Sequence, residues 1–351
     1  MRNTLHAAAA AACTVLFVMP SAQAQERCAV AWSHYVGWEP LGYIEDSGMA
    51  DRWGERFGVD LSFTLVNDYI ESVNLYTSGA FDGVSVTNMD GLTIPAVGGI
   101  DTEVIVVGDF SNGNDGILIH GEDGLTVEDL AGKRVALVEL SVSHYLLARA
   151  LGEHGLSERD LTVINASDAD IGSMIATSAA DDAFVTWNPI LLTGRQVPGI
   201  QLVFDSSQIP GEIVDTIMVN AEASDGCKRA ITGAWYEAMT VMSGFGAEAD
   251  EMLDVLAAQS GGTVAEYRAQ LETTRMFFDP AEAAEFAASD VIKTTMQFVA
   301  EFSFDHGLYG TAPDAEFVGV AYPDGSVWGN PDNVRLHFTD TYMRLAADGA
   351  L

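Results

Sequence analysis

Gly116-Ile117-Leu118-Ile119-His120 and Val214-Asp215-Thr216-Ile217-Met218-Val219-Asn220 are the two extended runs that decide how this chain divides. Turn residues bound both: polar Gly121-Glu122-Asp123-Gly124 follows the first, and Pro210-Gly211 precedes the second. Between them a fresh strand–helix–strand series begins at Thr126. Two extended crossings that bracket a central α/β insert predict a two-lobe protein with a double-stranded hinge. The expected partition is 25–115 with 216–351 as lobe one and 116–215 as lobe two.

Working outward, short β-rich runs alternate with helix-like segments as far as Phe204. The strand candidates are Cys28–Trp32, Val59–Val66, Gly83–Val86, Glu103–Val107, Gly116–His120, Arg134–Val138, Leu161–Ile164, Ala183–Thr186 and Ile200–Phe204. Helical patterns fall at Pro40–Gly48, Ile70–Ser78, Met89–Val97, Val142–Gly152, Ile171–Ala179 and Pro189–Gly194. Such alternation predicts βαβ units and mostly parallel sheets. From Ala221 to Phe304 the pattern turns helical, with Ala230–Met242, Ala247–Gln259, Val264–Leu271 and Pro280–Phe302; a last helix is expected over Asp332–Ala347. This helical C-terminal part is expected to pack on lobe one.

Composition limits the function. Of 351 residues 48% are hydrophobic, which argues for a substantial core and against disorder. Fifty-one Asp and Glu face only 16 Lys and Arg, a net charge of −35. So acidic a chain is unsuited to nucleic acid or to anionic membrane surfaces, which require basic patches. At the N-terminus Arg2, the apolar run Ala7–Met19 and the ending Ala22-Gln23-Ala24 have the form of a secretory signal peptide, 1–24, cleaved after Ala24. That run is too short for a permanent membrane helix, and no later segment is longer and comparably apolar. A soluble, periplasmic mature chain is expected. Cys13 leaves with the signal; Cys28 and Cys227 remain, either bridged, as an oxidising compartment permits, or as separate buried thiols. Gln25-Glu26-Arg27 is not the small apolar stretch that precedes a lipid-anchored cysteine.

Enzyme signatures are missing: there is no G-x-S-x-G elbow, P-loop, H-E-x-x-H or post-strand G-x-G-x-x-G. No Cys-His grouping suggests zinc, and the run Asp109–Gly116 has neither the spacing nor the closing glutamate of a calcium loop. Neither metal nor cofactor is expected. His34 and His144 follow candidate strands, where a general base would sit, yet no nucleophile accompanies them. The strand ends are nonetheless rich in polar and aromatic groups, and in open α/β sheets ligands bind beyond those ends. Lobe one offers Trp32, His34, Tyr35, Trp38, Asp68, Tyr69, Asn88, Asp90 and Asp109; lobe two offers Glu139, Ser143, His144 and Trp187; Asp215 lies on the return crossing. Asp68, Asn88 and Ser141 also stand where helix caps are expected.

Ala31-Trp32-Ser33-His34-Tyr35-Val36-Gly37-Trp38-Glu39-Pro40, Asn67-Asp68-Tyr69-Ile70-Glu71-Ser72, Thr87-Asn88-Met89-Asp90, Gly108–Gly116 and Ser141-Val142-Ser143-His144-Tyr145-Leu146 together resemble the periplasmic substrate-binding proteins of ABC importers. The resemblance is to the nitrate/sulfonate/taurine-type family, which includes thiamine-precursor binders. Within it, the chain is most similar to a subgroup encoded beside urea carboxylase and named as urea transporters. It spans nearly the whole mature chain. It implies a type II-like two-lobe α/β fold that closes on a small ligand, with ABC permease subunits as partners and no catalysis; a monomer is expected.

Charge then narrows the ligand. No Lys or Arg occurs in 57–132, 135–148 or 160–194, the stretches that hold nearly all the strand-end loops. Nitrate or a sulfonate calls for a basic side chain or a helix N-terminus there. Asp68, Glu71, Asp90, Asp109, Glu139 and Asp215 instead suit guanidinium or a neutral amide such as urea, whose oxygen would need a donor such as Asn88 or Ser143. Asp68→Ala and Asp109→Ala are the two substitutions expected to damage binding, with Glu251→Ala as a surface control. The alternatives are a pyrimidine thiamine precursor stacked on Trp32 and Trp187, a nitrate- or sulfonate-type anion, and an exported enzyme. For the N-terminus, intact-mass analysis of the exported protein is expected to show loss of residues 1–24 and no lipid on Cys28.

Overall fold

The computed structural model describes residues 25–179 and 182–351; the expected signal segment, 1–24, lies outside the described residues. Its strands are β1 (Glu26–Trp32), β2 (Val59–Leu65), β3 (Gly83–Thr87), β4 (Thr102–Ser111), β5 (Asp115–His120), β6 (Arg134–Leu137), β7 (Thr162–Asn165), β8 (Asp182–Trp187), β9 (Ile200–Asp205), β10 (Val214–Asn220), β11 (Thr274–Met276), β12 (Gly319–Ala321), β13 (Val327–Trp328) and β14 (Val334–Phe338). They form two sheets. One runs β13-β12-β14-β4-β10-β3-β1-β2, with β11 also on β4, and the other runs β7-β6-β8-β5-β9.

Burial accounts for the strand sequences. From Cys28 to Trp32 every residue of β1 is buried, because parallel neighbours β2 and β3 flank it and helices cover its faces. The edge strand β2 alternates buried Val59, Leu61 and Phe63 with more exposed residues. The chain leaves the first sheet at Ser111 and enters the second at Asp115; it returns between Asp205 and Val214. The crossings are therefore these short connections. The extended runs read from the sequence lie just beyond them: 116–120 pairs with β8 and β9, and 214–220 inserts between β3 and β4. The connections run side by side. Ser111 N–H donates to the Ile213 carbonyl (3.0 Å), and the Ser111 and Ser206 hydroxyls meet at 2.6 Å.

Four departures from the expected elements have local causes. The segment Asp332–Ala347 is not one helix: Val334-Arg335-Leu336-His337-Phe338 alternates with period two, buries Leu336 and Phe338, and pairs as β14, leaving a helix only at Thr341–Ala347. The helix expected over Pro280–Phe302 is two, Pro280–Ala287 and Asp290–Asp305, because the Ser289 hydroxyl caps the second by accepting from Ile292 N–H. The expected Pro40–Gly48 helix ends at Asp46, and Gly48, at φ 73°, starts an unforeseen helix over Met49–Phe57. The segment Met89–Val97 is a short α turn, Asn88–Gly91, followed by a widened π turn around Pro95, which has no N–H to give the regular ladder. The C-terminal part thus supplies β11–β14 as well as helices. Its helix Asp290–Asp305 also reaches the second sheet's side: Phe302 packs edge-on to Tyr145 and Arg149 lies over Phe298, where only a lobe-one contact is expected.

Cys28 and Cys227 form a disulfide that ties β1 to the first turn of the helix Asp225–Met242. Both cysteines are buried and 199 residues apart, so the bridge closes a very long loop. Among the described residues no helix is long and apolar enough to cross a membrane. Losing the bridge in a Cys28→Ser/Cys227→Ser variant is expected to cost about 2–5 kcal/mol, or a Tm lower by roughly 5–15 °C in a heat scan. An unchanged Tm would mean that the bridge does not constrain the unfolded chain.

Candidate functional site

Between the sheets lies a narrow, nearly closed cleft with about 10 Å³ of free space, lined by Tyr35, Trp38, Tyr69, Thr87, Asp115, Val142, Trp187, Ile213 and Asp215. The loop after β1 supplies the first two. Tyr35 turns the chain by accepting Trp38 N–H and Glu39 N–H at its carbonyl, and Pro40 then opens the helix Glu39–Asp46. Gly37 is required here: a Cβ would stand 2.3 Å from Asp109 Oδ2 and 2.6 Å from the Tyr35 ring. Tyr35 donates its hydroxyl to Asp109 Oδ1 at 2.9 Å. Tyr69, first in its helix, donates to Asp90 Oδ2 at 2.6 Å. Trp38 lies between the two tyrosines, with ring centroids 5.0 Å from Tyr35 and 5.6 Å from Tyr69.

Four contacts close the cleft. Val142 N–H, at the start of the helix Val142–Glu153, donates to Asp90 Oδ2 at 3.2 Å. Trp187 Nε1–H donates to the His34 carbonyl at 3.2 Å, and its ring meets Tyr69 edge-on at 5.6 Å. Asp168 accepts from Tyr69 N–H.

Carboxylates gather at the floor. Asp109 of β4 and Asp215 of β10 are direct cross-strand partners, and their carboxyl groups are within hydrogen-bonding reach of each other. Asp115 accepts from the Ser111 hydroxyl at 2.6 Å, and Asp90 takes the Thr87 hydroxyl at 3.1 Å besides Tyr69. All four acids are at most 3% exposed, and no Lys or Arg lines the cleft. Burial pushes Asp90 up to about 6, and Asp109 and Asp115 up to about 7. Burial and then the charge of Asp109 raise Asp215 well above the ordinary carboxylate range. Asp90 Oδ1, Asp109 Oδ2 and Asp215 Oδ2 receive no N–H or O–H from the protein, and Trp38 Nε1–H has no acceptor. Buried polar atoms without partners are uncommon and call for an explanation.

Of the residues singled out in the sequence, Tyr35, Trp38, Tyr69, Trp187 and Asp215 line the cleft, with Asp90 and Asp109 bonded to its tyrosines. The others lie elsewhere. Trp32 and His34 line a separate pocket with Phe63 and Gln259, so Trp32 does not oppose Trp187. His34 is bound to buried Glu39 at 2.8 Å, and that bond raises its pKa. Asp68 is a helix cap that accepts Glu71 N–H and does not line the cleft, and the carboxylate opposite Asp109 is Asp215. Asn88 spends its amide on the hinge, donating to Glu212 O and accepting Val214 N–H. Glu139 is exposed. Buried His144 accepts Leu140 N–H, and burial lowers its pKa; Ser143 is buried beside it with a free hydroxyl. Asp115, Val142, Ile213 and Asp168 are not among the strand-end candidates, although they belong to the cleft or close on it. Asp115 carries a signal in the sequence, the acidic Asp109–Gly116 turn; the apolar residues Val142 and Ile213 carry none. Among the described residues no group of three or more His, Cys, Asp or Glu has metal-holding geometry.

Two α/β lobes joined by paired crossings, with a small polar and aromatic cleft between them, define the two-lobe periplasmic binding protein fold. Solved structures bear this out. The alkanesulfonate-binding protein SsuA from Xanthomonas axonopodis pv. citri, bound to MOPS, superposes with a TM-score of 0.67 at 18% identity, covering 83% of this chain and 96% of that one. The periplasmic nitrate-binding protein NrtA from Synechocystis PCC 6803 gives 0.67 at 12% identity, covering 93% and 90%. A Candida albicans protein described as having the generic periplasmic binding protein fold gives 0.61 at 11% identity, covering 79% and 90%. The family model described as NMT1/THI5 like matches residues 53–224. No curated protein sequence matches the chain significantly.

The buried acids set a pH dependence. Asp90, Asp109, Asp115 and Asp168 all bind protons more tightly when folded than when unfolded, mainly through burial. Between about pH 4 and 7 the folded protein therefore holds more protons, and its stability falls as pH rises. His34 acts in the same sense and His144 in the opposite one. The ligand-free protein is expected to melt at least roughly 5 °C lower at pH 7.5 than at pH 5, since each pK unit is worth about 1.4 kcal/mol. Differential scanning fluorimetry checks this, and a Tm that rises with pH would contradict the burial of these acids.

Proposed function

We propose that the chain is the periplasmic solute-binding component of an ABC importer, taking a small planar nitrogen compound between its lobes and delivering it to a membrane permease. Guanidinium is the ligand that the cleft supports best. The observation that carries this reading is the meeting of four buried carboxylates with no basic side chain in the lining. Buried, unpaired carboxylates are costly. A planar cation offsets that cost by giving N–H groups to Asp215, Asp109 and Asp90, while its faces pack on Trp38 and the tyrosines. An anion would meet Asp115 and Asp215 in the lining and no basic side chain. The nearby cation Arg149 is engaged by Glu212 at 2.9 Å, on the hinge.

Urea is the second reading. The unpaired Trp38 Nε1–H favours it, as a donor for a carbonyl oxygen. A pyrimidine held between Trp32 and Trp187 lacks support, because Trp32 lines another pocket. A catalytic role lacks support too, since no nucleophile with an adjacent base lines the cleft. Groups from both sides of the hinge line the cleft, so only the closed form offers every contact. A ligand then shifts the open–closed balance by its differential affinity.

In a thermal-shift panel of the mature protein, guanidinium or urea is expected to raise Tm, and nitrate, taurine and the thiamine pyrimidine are not. A selective response to either anion would reject the reading. In calorimetry, Asp109→Ala and Asp215→Ala are each expected to cost about 2–5 kcal/mol of binding, with exposed Glu251→Ala as the unaffected control.

A further inference from the structure

Asp109 and Asp215 face each other from neighbouring antiparallel strands of one sheet. Like charges directly opposite in a sheet repel, and here burial removes the water that would screen them. Two carboxylates so placed do not both ionise without a cation; one proton shared between them resolves the conflict. Both strands belong to the same sheet, so opening the lobes does not separate the pair.

The surroundings leave the pair no other neutralising charge. Tyr35, from the loop after β1, donates to Asp109 Oδ1 and is itself pushed far above its ordinary pKa by burial. Asp115 at the start of β5 and Asp90 after β3 add negative charge, and β3 places uncharged Thr87 opposite Asp215. Tyr267, on the helix Val264–Leu271, donates to the Val36 carbonyl at 2.7 Å, with Glu39 and Asp109 as its charged neighbours. Glu39 is held by His34. Arg275 of β11, beside β4, turns outward to Glu282 and is 49% exposed.

We propose that ligand capture is a cation-for-proton exchange at this pair: in the ligand-free protein Asp109 and Asp215 share one proton, and the incoming planar cation displaces it. The carboxyl O–H bond breaks, the proton passes to water or buffer, and an N–H of the cation takes its place between the two oxygens. One positive charge enters as one leaves, so the net charge of the site is conserved. A neutral ligand such as urea has no charge to exchange and leaves the proton in place, where the carboxyl O–H can donate to its oxygen. This inference rests on the cationic-ligand reading above.

Titration calorimetry of the mature protein with guanidinium chloride, repeated in buffers of different ionisation enthalpy, reads the exchange directly. Close to one proton is expected to leave per guanidinium bound, and affinity is expected to rise about tenfold per pH unit between about pH 5.5 and 7. In Asp215→Asn, and separately in Asp109→Asn, the proton release and the pH slope are expected to vanish, whereas Glu251→Ala keeps both. Guanidinium binding without proton release in the unaltered protein would overturn the exchange and leave the cationic reading standing. Release that persists in both Asn variants would also overturn it, by placing the proton elsewhere. No binding of guanidinium at any pH would overturn the cationic reading and the exchange with it.

Discussion

The opposition of Asp109 and Asp215 across β4 and β10 is the constraint on which the rest of the cleft depends. It arises from topology, because the returning strand β10 inserts between β3 and β4 and so brings residue 215 against residues 87 and 109. Everything packed near the pair supplies hydrogen-bond donors or room, and no compensating charge. Tyr35 gives a hydroxyl, Gly37 leaves the space a side chain would fill, and Thr87 and Tyr69 together hold the neighbouring Asp90. A site built this way is unstable toward ionisation and therefore receptive to protons or cations.

The hinge shares that chemistry. Ser111 bonds at once to Asp115 and Ser206, so one hydroxyl couples an acid at the edge of the cleft to both crossings. A few residues further on, Glu212 takes Arg149 and Tyr145 from the second lobe, and the rings of Phe298 and Phe302 pack against the same arginine and tyrosine. One of the chain's scarce basic residues, Arg149, is thus used at the back of the hinge. The front is left acidic, and the two faces of one hinge carry opposite electrostatic roles.

The overall charge of −35 and the acid cleft are separate phenomena. Exposed acids such as Glu251 lie in high-dielectric solvent, where screening makes each of small consequence. The four cleft acids are fewer, but burial multiplies the effect of every proton and every neighbouring charge. Composition alone does not distinguish the two populations.

The alternation of strands and helices, the restart after residue 120, the return near 214 and the absence of basic residues from the strand-end loops are all local properties of the chain, legible from pattern and composition. They sufficed for the α/β two-lobe architecture and for naming Tyr35, Trp38, Tyr69, Asp90, Asp109, Trp187 and Asp215. Other matters hung on long-range placement. Cys28 pairs with Cys227 because the fold sets one helix turn against β1. Trp32, the last residue of β1, turns to another pocket. Asp68 and Asn88 look like ligand groups in a string of residues, yet a free helix end and a hinge amide claim them first. Asp115 became part of the cleft only when the crossing carried it there. Local periodicity reflects which face of an element is buried. Which buried acid meets which depends on strand order, and strand order is a property of the whole chain.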